Sequence, residues 1–132
     1  VVFSSDGAVS QDNFNVPGSY VSNFAGPVDQ YKYNAPVIAA WKKDNPGDTL
    51  GPFGPPTYGA AQVALNAIKR ACVKAKNGSI TRSQVLQQVS KVRIKNWILG
   101  GSFRFSTKTH DPLNAKFTIF QIQKDGSNKV VN

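Results

Sequence analysis

The stretch TLGPFGPPTYGAAQVALNAIKRA, residues 49–71, joins a stiff loop to a long helical pattern. Two glycines and three prolines precede the helix, and the aromatic residue Phe53 stands between them. Prolines reduce the conformational freedom of a loop, so this loop can hold a ring in place at low entropic cost. We interpret it as a wall of a ligand pocket, where burial of an apolar side chain contributes about 1.5–3 kcal/mol. Packing of Phe53 on its own helix, next to Tyr58, is the alternative.

Three helical patterns occupy the middle of the chain. The predicted helices cover residues 35–44, 57–76 and 82–92. Asn34 is a suitable N-cap for the first, and Thr81 with Gln84 forms a capping-box pattern before the third. Mostly small apolar residues recur on one face of the second helix, and such a face can approach a sheet closely. These residues are Ala61, Ala64, Leu65, Ile68, Ala71, Cys72 and Ala75.

Strand patterns occupy both ends of the chain. The predicted strands cover residues 1–3, 20–24, 103–105 and both sides of the turn at Asp125–Gly126. We expect the first strand to be buried. The central helices have few strands of their own, so we expect another part of the polypeptide to build the sheet that they cover. The first residues are apolar, do not include Met and lack a signal-peptide pattern, so we expect the chain to begin inside a larger protein.

The chain has 132 residues, the size of one ordinary domain, and a net charge of +9 from 16 Lys and Arg against seven acids. A basic balance is typical of proteins that bind nucleic acid, anionic membranes or acidic ligands. Here the small basic clusters follow predicted helix ends, where cations complement the negative end of the helix dipole. We therefore interpret most of the charge as solvated helix ends.

Motifs for catalysis and metal binding are absent from the sequence. It contains no G-x-S-x-G, P-loop, G-x-G-x-x-G or zinc-ligand spacing, and all its acids are Asp. Cys72 lies on the apolar helix face, which favours an inert core thiol, and the single His, His110, lies in a polar loop. We expect no enzymatic activity, no cofactor and no metal site.

Five segments, taken in order, resemble the C-terminal portion of type I periplasmic solute-binding proteins of ABC transporters, in the branched-chain amino-acid (Leu/Ile/Val) class. They are VVFSSDG, GSYVSNFAGPVDQ, GPFGPPTYGAAQVALNAIKRA, SQVLQQVSKV and KFTIFQIQKDGSNKVV. Each segment by itself is weakly diagnostic, whereas their joint order and spacing over nearly the whole chain are fairly specific. Two departures are Pro55-Pro56, in place of an apolar pair, and residues 108–113, in place of a loop with an acid and a Gly.

The resemblance implies an α/β fold, the C-terminal part of a two-lobed periplasmic-binding-protein-like structure with hinge crossovers. Residues 1–27 would be a second-lobe segment, residues 28–102 the first-lobe helices and loop, and residues 103–132 the return crossover and second-lobe hairpin. The chain would be a single fragment of one bilobed protein. The N-terminal portion of the same protein would supply the rest of both lobes.

The resemblance also implies a function, that of the substrate-binding component of an ABC importer. An amino acid or related small carboxylate would bind in the cleft between the lobes, and the closed form would dock on the membrane permease. Asp6 would accept hydrogen bonds from the ligand's ammonium group, and Phe53 would pack on its side chain. Tyr31 would be a third contact, although packing of Tyr31 and Tyr33 outside the cleft is the alternative. The location would be periplasmic or extracellular, with lipid anchoring of the full-length protein as one arrangement.

Two other functions stay open on the sequence. A basic nucleic-acid-binding module would bind DNA or RNA with an affinity that falls steeply with added salt. We give this alternative less weight and expect no nucleic-acid partner. A ligand-sensing domain would reuse the same fold without transport, because a fold does not determine a function.

Overall fold

The computed structural model describes residues 1–9, 14–48, 50–76, 78–113 and 115–131. Within these residues the chain forms six β-strands, three α-helices and three short 3₁₀ turns. The strands are β1 (Phe3–Ser4), β2 (Tyr20–Asn23), β3 (Arg93–Ile94), β4 (Phe103–Arg104), β5 (Thr118–Ile122) and β6 (Asn128–Val130). The helices are α1 (Ala35–Asp44), α2 (Gly54–Lys74) and α3 (Arg82–Val89). The mixture of helices and strands confirms the predicted α/β class.

The chain divides into two compact units, and the first contains residues 1–55 and 115–132. Its sheet has the strand order β1-β2-β5-β6, in which β1 and β2 are parallel and the other neighbours are antiparallel. Val21, Phe120 and Ile122 form the buried core of this unit, and residues of the first 3₁₀ turn pack against it. The Asp125–Gly126 turn joins β5 and β6 as the sequence predicts, with Gly126 at a φ of +81°.

The second unit contains residues 56–114 and is built from α2, α3 and the β3-β4 ribbon. Its core consists of Val63 and Ala67 on α2 together with Val92 and Phe103. The indole ring of Trp97 lies 4.4 Å from the ring of Phe103, centroid to centroid, with an interplanar angle of 32°. It also lies directly over Gly59, where an added Cβ would come within 2.5 Å of it. A glycine is therefore needed where α2 and Trp97 meet.

Local signals in the sequence predict several helix ends correctly. The bounds of α1 agree with the prediction, and the Thr81 hydroxyl accepts from the Gln84 amide at 3.3 Å while Thr81 N–H donates to the Gln84 side chain at 2.7 Å. Asn34 stands at the start of α1 but does not cap it with its side chain. Its Nδ2 instead donates to the Val28 carbonyl at 2.8 Å, which stabilises the preceding turns.

The predicted packing face of α2 is wrong for most of its members. Leu65 is 65% exposed, and Ala61, Ala64 and Ile68 are exposed as well. The helix instead buries positions spaced by four residues, and these are Gly59, Val63, Ala67 and Ala71. The reason is that α2 is apolar on two sides, and the side that packs is the one whose small residues admit the Trp97 and Phe103 rings.

Three strand and helix predictions also need correction. The first strand is Phe3–Ser4 and not a buried strand over residues 1–3, since β1 is an edge strand and Phe3 is 61% exposed. Helix α3 ends at Val89, and the short strand β3, which the sequence did not predict, begins four residues later. Along the chain, the boundaries of the two compact units fall between residues 55 and 56 and between residues 114 and 115. The assignment of segments to lobes stays a prediction.

Candidate functional site

The candidate site lies at one edge of the four-stranded sheet. Because β1 and β2 run parallel in the register Ser4↔Val21, the segments that follow them leave the sheet at the same edge. Asp6 opens the 3₁₀ turn after β1 and is half-buried. Phe24 comes directly after β2. The carboxyl ends of parallel strands are where α/β proteins commonly hold their ligands.

The loop before α2 brings Phe53 to this edge. The ring of Phe53 lies 6.0 Å from the ring of Phe24, with an interplanar angle of 41°. Phe53 remains 49% exposed, so part of its ring is free to contact another molecule. The structure thus places Phe53 beside the end of β2, and the Phe24 contact holds the ring there. Phe53 therefore does not pack only on its own helix, which was the alternative.

Sequence reasoning missed Asn23, the last residue of β2. Its side chain is on the same face as Val21, because alternate residues of a strand share a face, and it is only 3% exposed. Within the described residues its Oδ1 has no hydrogen-bond partner. A buried carbonyl oxygen without a donor costs about 1–3 kcal/mol, so such an atom is a candidate ligand contact. The only available signal was a polar residue at the end of an apolar strand.

Asp6 and Asn23 lie at the same edge of the sheet, where β1 and β2 end. The 3₁₀ turn that Asp6 opens continues into Ala8 and Val9, which pack against the core of Val21, Phe120 and Ile122. The edge therefore combines two groups that accept hydrogen bonds with the exposed ring of Phe53. A carboxylate and an amide oxygen together can bind a group that donates several hydrogen bonds, such as an ammonium ion.

Tyr31 and Tyr33 stack on each other, with ring centroids 5.5 Å apart and an interplanar angle of 14°. Both rings are half-buried. The Tyr31 carbonyl accepts a hydrogen bond from the Asn34 amide at 2.8 Å, which fixes the backbone before α1. The mutual stacking matches the packing alternative for Tyr31, and its role as a ligand contact stays a prediction.

The described part of the chain meets the requirements of neither a metal site nor a membrane-spanning helix. It has no group of three His, Cys, Asp or Glu side chains that could hold a metal ion. No helix in the same residues is long and apolar enough to cross a membrane. Cys72 is half-buried, and His110 is exposed with a φ of +62°.

Comparison with known proteins identifies the fold. No protein-family model matches the sequence, and no curated protein matches it. Among solved structures, the leucine-binding protein LivK from Thermotoga maritima is similar to the chain over 98% of its length, with a TM-score of 0.75 and 18% identity. A fatty acid ABC transporter substrate-binding protein from Thermomonospora curvata matches 89% of the chain, with a TM-score of 0.67 and 20% identity.

The chain therefore has the fold of a part of these two binding proteins, and this confirms the resemblance at the level of fold. It spans 36% of the length of the LivK structure and 30% of the second one. Both similar proteins are named as binding proteins of small molecules, one for leucine and one as the substrate-binding part of an ABC transporter.

Proposed function

We propose that this chain is part of the solute-binding component of an ABC importer and that it contributes one wall of a ligand cleft. The observation that carries the proposal is the arrangement at the sheet edge, where Asp6 follows β1, Asn23 ends β2 and Phe53 contacts Phe24 just after β2. The similarity to two binding proteins over most of the chain supports it. No catalytic step is part of this role.

The chemistry of the edge favours a small amino acid with an apolar side chain. Its ammonium group donates to the Asp6 carboxylate and to Asn23 Oδ1, and its side chain covers the exposed part of the Phe53 ring. Hydrogen bonds to an ionised acceptor are roughly twice as strong as neutral ones, so Asp6 contributes most of the polar affinity. A ligand without an amine, such as a fatty acid, has no donor for these two acceptors.

The remainder of the cleft comes from further polypeptide. Leu65, Ile68 and Leu86 are exposed in the second unit, and Ile68 and Leu86 line an apolar groove of about 640 Å³ there. Monomeric proteins rarely leave such patches uncovered. Since the similar structures are about three times as long as this chain, we propose that the additional part of the same protein covers this face.

Closure of the cleft then links binding to transport. A ligand that contacts both lobes favours the closed state by the difference between its affinities for the two states. The closed form docks on a membrane permease, and the protein acts in the periplasm or outside the cell. A sensing protein would share every step up to docking, so permease-dependent uptake distinguishes transport from sensing.

The test is calorimetric titration of the complete protein with leucine, phenylalanine and a fatty acid. In the Asp6→Asn variant we expect leucine affinity to fall at least about tenfold, because a charge-assisted hydrogen bond becomes a neutral one. Asp125→Asn makes the same chemical change at an exposed position in the β5–β6 turn, at the opposite end of the sheet, and should leave affinity unchanged. Undiminished binding by Asp6→Asn would refute the assigned role of this carboxylate.

A further inference from the structure

The net positive charge of this protein falls entirely on one of its two units. Residues 56–114 contain ten Lys and Arg and a single acid, Asp111, so this unit carries the whole net charge of +9. Residues 1–55 and 115–132 contain six cations and six acids. The charge is therefore not a general property of the helix ends, since α1 also ends in two lysines but belongs to the neutral unit.

A cavity of about 400 Å³ opens in the basic unit, between the C-terminal half of α2, the end of α3 and β3. It is lined by Asn66, Lys69, Arg70, Val73, Lys74, Gln88, Val92 and Arg93. Four of these eight residues are cations, and the lining contains no acid. The volume lies within the range of about 300–1,000 Å³ that is typical of small-molecule sites.

Arg93 lines this cavity, and its guanidinium is anchored on the backbone. Its Nη1 donates to the Val92 carbonyl at 2.7 Å and to the Ser90 carbonyl at 3.1 Å. These bonds hold the guanidinium beside the segment that joins α3 to β3. The other N–H groups of the guanidinium remain able to donate to a ligand, since a guanidinium carries five of them.

Gln88 is the second residue of the cavity that indicates a binding site. It is only 3% exposed, although glutamine is ordinarily a surface residue. Among the described residues, its Oε1 is buried without a hydrogen-bond partner. A ligand that brings a hydrogen-bond donor as well as a negative charge would satisfy this oxygen, which a bare anion does not.

We infer that this cavity binds a phosphomonoester that also carries a hydroxyl or amino group. The phosphate accepts from Lys69, Arg70 and Arg93, and the hydroxyl or amino group donates to Gln88 Oε1. Arginine matches phosphate geometry with paired hydrogen bonds, and lysine adds a mobile charge. This site lies wholly in the second unit and is independent of the amino-acid site proposed for the first.

The experiment compares two ligands of equal charge by calorimetry at pH 8 and constant ionic strength. Glycerol 3-phosphate carries free hydroxyl groups and methyl phosphate carries none, while both phosphates are fully ionised because their second pKa is about 6. We expect glycerol 3-phosphate to bind about tenfold more tightly, the effect of satisfying one buried acceptor. In Gln88→Leu the two ligands should bind equally.

The double variant Lys69→Gln with Arg70→Gln should weaken both ligands about tenfold or more, since each contact is a hydrogen bond to a charged group. Both side chains are exposed, so this test does not depend on tolerance of a core change. The control is Lys95→Gln with Lys108→Gln, which removes the same charge from exposed positions outside the cavity lining. The control should bind like the unaltered chain.

Vesicles that contain lysophosphatidic acid, a phosphomonoester lipid whose glycerol keeps one free hydroxyl, show whether the phosphate comes from a lipid or from a soluble ester. Binding to either source that depends on Lys69 and Arg70 supports the site. Equal affinity for the two phosphates in the unaltered chain overturns the inference. So does an equal loss in the cavity and control variants. Binding of a single-stranded oligonucleotide that is indifferent to Gln88→Leu and to the cavity variant also overturns it, and would favour the nucleic-acid alternative.

Discussion

The contact between Gly59 and Trp97 provides a sharp test of the second unit. An added Cβ at residue 59 lies 2.5 and 2.6 Å from two carbons of the indole ring. Since ordinary contacts begin at about 3.4 Å, the ring must move by about 0.9 Å. It cannot move freely, because its other neighbour is the ring of Phe103 at 4.4 Å. Overpacking of this kind typically costs about 1–3 kcal/mol.

Two opposing effects determine the result of Gly59→Ala. Alanine is favoured over glycine inside a helix by about 0.8–1.0 kcal/mol, which offsets part of the clash. Because two ring carbons lie within 2.6 Å of the added Cβ, we expect the clash to cost about 2–3 kcal/mol, the upper part of the range for overpacking. This leaves a net loss of about 1–2 kcal/mol in the free energy of unfolding and a decrease of about 3–8 °C in Tm. The measurement is urea and thermal unfolding followed by circular dichroism, with the near-ultraviolet signal reporting on the tryptophans.

A matched control exists within the same helix. At Gly54 an added Cβ meets the Leu50 side chain at 3.5 Å, an ordinary contact, so Gly54→Ala should be neutral or slightly stabilising. Replacing Trp97 by the smaller phenylalanine in the Gly59→Ala background should recover part of the lost stability, because the two positions are in contact. If Gly59→Ala unfolds at the same urea concentration as the unaltered chain, the packing described for α2 is incorrect.

Three further perturbations test local features. Thr81→Ala removes the capping box and should cost about 0.5–2 kcal/mol, measured by urea unfolding, whereas Thr81→Ser should cost little. The Ser127 hydroxyl, and then its amide, donate to Asp125 and lower the pKa of its carboxyl below the usual 3.8. The resulting stabilisation of the hairpin is present above pH 3.8 and is lost as the pH falls through the folded-state pKa. A carboxyl NMR titration should show that the pKa of Asp125 is below 3.8 and that Ser127→Ala raises it. An unchanged pKa in Ser127→Ala would contradict this cause. Asn23→Leu removes a buried acceptor without a donor, so it should raise stability by up to about 1–3 kcal/mol while weakening leucine binding, and a variant that binds normally would exclude Asn23 from the site.

The sequence predicts the local elements well because their causes are local. The bounds of α1 follow from Pro36 in the first turn and the Asn45-Pro46-Gly47 stop, and all of these act within a few residues. The capping box at Thr81 and the Asp125–Gly126 turn depend on contacts between near neighbours in the chain. The resemblance to binding proteins was also detectable, because it rests on the order and spacing of such local segments.

The candidate site was predicted only in part. The sequence indicated Asp6 because it lies in a turn after a strand, and it indicated Phe53 because prolines flank it in a loop. That both lie at one sheet edge follows from the parallel pairing of β1 with β2 and from the Phe24–Phe53 contact, which join residues far apart in sequence. Asn23 could not be named, since nothing in the letters SNF shows that its side chain is buried without a partner.

By itself, the sequence determined where the helices and the closing hairpin form, the α/β class and the excess of positive charge. Only the tertiary structure decided which side of α2 is buried, because both sides are apolar and the choice depends on distant aromatic rings that fit over Gly59 and Ala67. It also decided that the excess positive charge falls on the second unit. The burial of Asn23 in the sheet and of Gln88 in the second unit was likewise decided by the tertiary structure. Burial and charge distribution depend on pairings between distant residues, whereas helix caps and turns depend on atoms within a few residues of each other.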